Sequence, residues 1–217
     1  EDSAAALAAE GMDFDKLQGR SDGILAGELR GRGGGGADRW RFLGSLTCRG
    51  PVWRFDTAGT LCPKIYQIQD SYGLAWPMLE RTPAAPRARG LRAVVCPSPE
   101  HPDRIEHLLL PELGLAFVTS REGMVYDGPA YRRVRVDAMI PAAYCKRFRS
   151  RLRFTRRMVQ VLREEGMAAL GEAKAAHDQL EAVYHPHVDF DGVAGLTARE
   201  LERMERRLEA LGEGPRP

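Results

Sequence analysis

Apolar residues recur along the chain in two rhythms, and each predicts a different kind of element. Short, nearly continuous apolar runs bounded by turn residues occupy Lys64–Gln69 (KIYQIQ), Leu91–Cys96 (LRAVVC) and Leu113–Thr119 (LGLAFVT), and a more polar run occupies Tyr131–Val136 (YRRVRV). Their β-branched content and length predict strands, the first three covered on both faces. Leu74–Arg81 fits a helix between the first two strands, kept short by Pro77, Pro83 and Pro86. Beyond Pro141 the spacing becomes helical to about Tyr184, with Gly166 and Gly171 as expected breaks, and a last helix is predicted over Thr197–Leu211. Strands alternating with helices and then a helical hairpin predict an α/β three-layer domain, with a mostly parallel sheet and a C-terminal helical extension.

Projection of the 146–163 helix at 100° per residue separates two halves. Phe148, Leu152, Phe154, Thr155, Met158, Val159, Val161 and Leu162 share one half. Lys146, Arg149, Arg153, Arg156, Arg157 and Arg163 share the other, and only Arg147 and Arg151 fall on the apolar side. The expectation is a buried apolar half and an outward cationic stripe.

Charge sharpens this picture. The 217 residues carry 32 Lys+Arg against 30 Asp+Glu, a net charge of +2. Residues 131–163, however, hold eleven basic side chains and one acid, Asp137, which leaves the remainder at −8. A globally basic nucleic-acid binder is excluded, but a local basic face is not. Three readings of that face stay open: solvation and pairing with acids such as Glu164, Glu165, Glu172 and Glu181, docking to an acidic protein surface, and contact with phosphates or a nucleic-acid backbone. Arg outnumbers Lys 28 to 4, so arginine clusters carry less information here. No apolar run reaches the roughly 18–20 residues that span a bilayer, and the acidic N-terminus does not read as a signal peptide. Cys48, Cys62, Cys96 and Cys145 are widely spaced without a CxxC pair, which predicts reduced thiols and a cytoplasmic location.

A short repeat organises the chain. Met12-Asp13-Phe14-Asp15 recurs as Val188-Asp189-Phe190-Asp191, and at the same offset Leu17 matches Val193, Ser21 matches Thr197 and Leu25 matches Leu201. On this reading the chain is a piece of a larger protein. Residues 1–30 are the tail of a preceding unit, 31–39 a flexible Gly-rich linker, 40–212 a second unit and 213–217 a tail.

Within that unit Lys64–Gln69 leads into Asp70-Ser71-Tyr72-Gly73-Leu74-Ala75-Trp76-Pro77, the placement of a phosphate loop between a strand and a helix. The chemistry is mostly missing. With Gly73 set at the mid-loop glycine of GxxxxGK[ST], Asp70 stands at the first glycine, Ala75 at the last, Trp76 at the lysine and Pro77 at the hydroxyl. Asp70 repels phosphate, Trp76 supplies no cation, and Pro77 lacks both an N–H and a magnesium-binding hydroxyl.

Three stretches resemble a bacterial protein family built from two P-loop ATPase-like units in tandem. They are Phe42–Gly50 (FLGSLTCRG), Cys96–Ser120 (CPSPEHPDRIEHLLLPELGLAFVTS) and Ala176–Tyr184 (AHDQLEAVY) leading to Asp189-Phe190. The resemblance implies a P-loop NTPase-like fold, with the loop at Asp70, Ser71, Tyr72, Gly73, Leu74 and Ala75 a degenerate form of the family's intact one. It also implies a structural or regulatory role beside an absent first unit. No cofactor is expected, and ATP with magnesium enters only if the loop retains weak binding.

Other candidates have plainer readings. His185-Pro-His187 with Asp189 and Asp191 offers metal-ligand chemistry, but the first copy keeps DFD and replaces the His pair by Glu10-Gly11, which favours helix capping. Cys96, His101 and His107 are expected in a proline-rich loop without an orienting partner for thiol catalysis. The strand after Glu112 ends in Thr119-Ser120 with no acid for a metal, and Trp40, Trp53 and Trp76 read as packing residues.

Overall fold

The structure, a computed structural model, describes residues 2–31 and 33–212. The chain forms two compact units, Glu1–Gly171 and Glu172–Pro217. In the first, helices α1 (Asp2–Ala9) and α2 (Phe14–Glu28) precede strand β1 (Arg39–Trp40), the hairpin β2 (Gly44–Thr47) and β3 (Gly50–Trp53), and helix α3 (Phe55–Leu61). Then follow β4 (Lys64–Gln69), α4 (Trp76–Arg81), α5 (Ala84–Ala88), β5 (Val94–Pro97), β6 (Ile105–Leu110), β7 (Leu115–Ser120) and β8 (Arg132–Arg135). Six strands form one sheet in the order β1-β5-β6-β7-β4-β8.

The sheet is mostly parallel, with β6 alone antiparallel to its neighbours. Connection length explains the exception. Ser98–Arg104 and the turn Pro111–Gly114 are too short for the crossover that a parallel strand needs, whereas β4 reaches β5 through α4 and α5. Residues alternate between two cores. Tyr66, Ile68, Leu115 and Phe117 face α1, α2 and α4, while Ile65, Ala116 and Val118 face Leu43, Ala58 of α3 and Tyr126. This is the three-layer α/β arrangement expected from the apolar runs.

The observed elements correct several boundaries. β4 coincides with the expected strand, but β5 starts at Val94 rather than Leu91, and β7 starts at Leu115 after a 3-10 turn over Pro111–Leu113. His107 does not lie in a loop. It sits in β6 directly opposite Cys96 of β5. After helix α6 (Ala142–Arg147), helix α7 runs unbroken over Arg149–Tyr184, so neither Gly166 nor Gly171 ends it. The last helix, α8 (Phe190–Gly212), begins seven residues before Thr197. Among the described residues, no helix is long and apolar enough to cross a membrane.

The N-terminal segment is part of the first unit's core. Leu7, Ala8, Met12, Leu17, Ile24 and Leu25 are buried with the sheet residues Tyr66, Val95, Leu108 and Phe117. The Ser21 and Thr82 hydroxyls meet at 3.0 Å inside it, and Glu28 accepts hydrogen bonds from Lys64 Nζ and the Tyr66 hydroxyl, each at 2.8 Å. The Gly-rich segment is anchored as well. The Gly33 and Gly35 N–H groups donate to the carbonyls of Arg89 and Gly90, and a Cβ on Gly33 would lie 2.2 Å from the Gly90 oxygen. Arg32 and residues 213–217 lie outside the described residues.

In the second unit, the end of α7 is followed by a 3-10 turn over His185–His187 and then α8. Asp189 Oδ1 accepts the Gly192 N–H at 2.8 Å, the capping role expected of the DFD motif. Leu180, Val183, Val188, Phe190, Val193, Leu196, Leu201, Met204 and Leu208 are all exposed.

Candidate functional site at the C-terminal edge of the sheet

The chain leaves β4 towards β5 and leaves β7 towards β8, on opposite sides. The C-terminal ends of β4 and β7 therefore flank a topological switch point, where open α/β sheets bind ligands. Asp70 to Ala75 follow β4, and Arg121 follows β7.

The loop after β4 is filled by its own carboxylate. Asp70 is 2% exposed, and its Oδ1 and Oδ2 accept the N–H groups of Leu74 at 2.9 Å and Ala75 at 2.8 Å. Gly73 has φ +70°, which makes the tight turn and brings those N–H groups round. Asp137 takes the other donors: its Oδ1 accepts the Ser71 N–H at 2.9 Å and its Oδ2 the Ser71 hydroxyl at 2.7 Å. Burial pushes the Asp70 carboxyl above its ordinary value, and the Leu74 and Ala75 N–H bonds oppose that rise. The donors that would cradle a phosphate are thus occupied from within.

Beside the loop lies an ion network that the sequence patterns did not single out. Glu106 and His107 belong to β6, a strand buried at every position. Arg121 Nη2 lies 2.6 Å from Glu106 Oε1 and 3.5 Å from Glu100 Oε2. The Thr119 N–H donates to His107 Nδ1 at 3.1 Å, and His107 Nε2 lies 3.5 Å from Glu106 Oε2. Burial alone would raise the Glu106 carboxyl. The neighbouring His107 ring and the Arg121 guanidinium outweigh burial and hold Glu106 down at about 2. The signal available in the sequence was a Glu-His pair inside IEHLLL, because a charge within a buried run demands a partner. Glu106 is a second buried acid at this edge beside Asp70, and Arg121 follows β7 where a metal-binding acid was sought. Glu112 lies at the other end of that strand and pairs with Arg92 at 3.2 Å.

The cationic helix comes to the same edge, with its basic stripe exposed as expected but with less of its apolar half covered than expected. Leu152 is buried and Phe148, Thr155 and Val159 are half-buried. Phe154 is 65% and Leu162 63% exposed, and Met158 and Val161 are exposed too, so the apolar half is only partly covered. Lys146, Arg149, Arg153, Arg156 and Arg157 are exposed and Arg163 is half-buried, and two of these six reach acids in the connecting loops. Arg163 grips Glu100 through Nε at 2.6 Å and Nη2 at 2.7 Å, and Arg156 reaches Glu122 at 2.6 Å and the Tyr72 ring at 6.0 Å. The projection separates the halves but cannot tell which one finds partners, and here acids in the connecting loops decide.

Together these groups enclose a half-open cavity of about 770 Å³, lined by Ser71, Tyr72, Arg121, Glu122, Lys146, Arg149, Arg153, Arg156, Arg157 and Arg163 among others. That is within the size range of small-molecule sites. All six residues read as the basic face line it, and Ser71 and Tyr72 of the loop line it too. Asp70, Gly73 and Ala75 border a separate recess of about 30 Å³ with Trp76, Glu106 and Arg121. Leu74 is buried in the core. Lys146, Arg149, Arg153 and Arg157 form no ion pair with a described residue.

The arrangement does not fit magnesium-ATP. Phosphate would have to displace the Asp70 carboxylate, Pro77 provides no hydroxyl, and Glu106 could reach a metal only by giving up Arg121. Cys96 does not fit a thiolate role either, because burial and then the Glu106 charge push its thiol up to about 12. The one cluster of potential metal ligands among the described residues, His177, Asp178 and Glu181, is on the surface of α7 and includes neither His185 nor His187. Trp76 packs under the Arg104 guanidinium at 5.7 Å, whereas Trp40 is 56% exposed. No protein-family model, curated protein or solved structure matches the chain.

Proposed function

We propose that this chain is a non-hydrolysing α/β unit of the P-loop-like kind, serving as a structural or regulatory partner within a larger assembly. One observation carries the reading: both oxygens of Asp70 occupy the backbone donors of the loop after β4. A unit with this loop holds the shape of a nucleotide site while its phosphate position is sealed. The resemblance to tandem ATPase-like proteins supports the same reading and supplies the partner, a first unit with an open loop. The test is ATP turnover by the purified chain with magnesium. None is expected above a no-protein control, and turnover lost on changing Asp70 and Ser71 would refute the proposal.

The cavity favours a second reading, a binding module for a phosphate-bearing ligand. Lys146, Arg149, Arg153 and Arg157 line about 770 Å³ without a carboxylate partner among the described residues. Arginine forks suit phosphate oxygens, and the four-residue spacing of Arg149, Arg153 and Arg157 sets cations about 6 Å apart along the helix. Titration with a labelled single-stranded oligonucleotide at two salt concentrations tests it, since three or four neutralised phosphates give a log–log salt slope of about −2 to −3. Salt-independent binding, or none, would remove this reading.

A further inference from the structure

The repeat places the same sequence pattern in two environments. α2 and α8 both begin on the Phe of their DFD motif, at Phe14 and Phe190. Both are capped by the preceding Asp through Oδ1 to the N–H three residues on, at 2.9 Å for Asp13 and 2.8 Å for Asp189. Carried by the same offset, the buried positions Leu7, Ala8, Met12, Leu17, Ser21 and Leu25 correspond to Val183, Tyr184, Val188, Val193, Thr197 and Leu201. Five of the six remain apolar and the sixth keeps its hydroxyl. Yet Leu17 is 1% exposed and Val193 53%, and Leu25 is 5% exposed and Leu201 55%. The second copy has the residues of a seated helix without a seat.

We propose that residues 180–204 are a docking element for a second α/β unit built like this one. They take the place on that unit that residues 4–28 hold here, against the counterpart of α4. Other positions depart: Ala5 and Ala9, packed against the core, correspond to Glu181 and His185, and Glu28, which accepts from Lys64 and Tyr66, corresponds to Met204. Ile24 of α2 is replaced by Glu200, and Ile24 borders a cavity of about 520 Å³ that also contains Lys64 and Arg132. Ile24 is itself buried in the apolar core, but at that cavity Lys64 and Arg132 face Glu28. With Met204 at the place of Glu28, Glu200 supplies the acid for those cations from one turn away. Thr197 takes up the hydroxyl contact that Ser21 makes with Thr82. The proposal does not depend on nucleotide chemistry, and none of its tests reads ATP or oligonucleotide binding.

Two experiments on the full-length chain test it. In the first, residues 4–28 are replaced by a second copy of 180–204. The chimera is expected to unfold cooperatively with a midpoint near that of the native chain, and Leu→Asp at its position 25 should abolish that transition. A chimera without cooperative unfolding overturns the proposal. In the second, Leu17→Asp with Leu25→Asp unseats α2 and opens the acceptor face, and this variant is mixed with the intact chain in sedimentation velocity. Concentration-dependent association that is lost when the intact partner carries Val193→Asp and Leu201→Asp is expected. Association of the intact chain with itself, removed by those same two changes, would show hairpins pairing with hairpins and overturn the proposal. Should the opened variant fail to fold, the chimera decides.

Discussion

The Asp70 carboxylate accepts the Ala75 N–H at 2.8 Å from a position where a phosphate loop would present that donor to its ligand. The second oxygen takes the Leu74 N–H, so the loop leading into α4 closes on a carboxyl group supplied by the chain itself. Removing that group has a defined cost. Asp70→Ala leaves two buried N–H groups without an acceptor, at about 1–3 kcal/mol for each orphaned donor. Urea denaturation is expected to show the loss. Asp70→Asn keeps one acceptor oxygen and should fall between the variant and the native chain.

Glu106 gives the fold a marked acid sensitivity. Its folded value of about 2 lies below the ordinary 4.5. The stabilisation is therefore complete above about pH 4.5 and is lost as pH falls towards 2. Glu106→Gln should flatten the denaturation midpoint over that interval. At neutral pH it should cost about 3 kcal/mol, because Arg121 is then left buried without its nearest carboxylate. A variant whose pH profile parallels that of the native chain would show that other carboxylates carry the acid transition.

Leu17 and Val193 are matched in sequence but not in burial. Leu17→Ala should destabilise the first unit by about 2–5 kcal/mol, as deletion of a fully buried leucine does. Val193→Ala should change stability by no more than about 0.5 kcal/mol in the isolated chain. Equal effects on thermal unfolding would contradict the different environments of α2 and α8.

The unpaired arginines are expected to separate binding from stability. Arg149→Gln, Arg153→Gln and Arg157→Gln together break no ion pair with a described residue, so the unfolding midpoint should stay nearly unchanged. Any salt-sensitive oligonucleotide binding should be lost. Arg163→Gln is the contrast, since it removes both bonds to Glu100 and should lower stability. A triple variant that binds as the native chain does would place the ligand elsewhere.

Much of the α/β plan could be read from local pattern. Lys64–Gln69 is a strand at the expected boundaries because its apolar run is bounded by proline on one side and by the Asp70 turn on the other. β6 was missed because Pro97, Pro99 and Pro102 suggest a loop reaching further than it does, and because Glu106 and His107 interrupt the apolar signal. That the loop after β4 lacks the residues of a phosphate loop was legible from Asp70, Trp76 and Pro77. What could not be read was that Asp70 turns inward to satisfy the donors itself, which depends on loop geometry. The pairing of Arg163 and Arg156 with loop acids was likewise hidden, because Glu100 and Glu122 are distant in sequence from the helix they bind.

The sealed loop is tested most directly by calorimetric titration of ATP into the native chain, with and without magnesium, beside the same titration of Asp70→Gly. The native chain is expected to show no magnesium-dependent binding, and the variant, with the Leu74 and Ala75 N–H groups released, to bind phosphate or nucleotide more tightly than the native chain does. Magnesium-dependent ATP binding by the native chain that Asp70→Gly weakens would contradict the account.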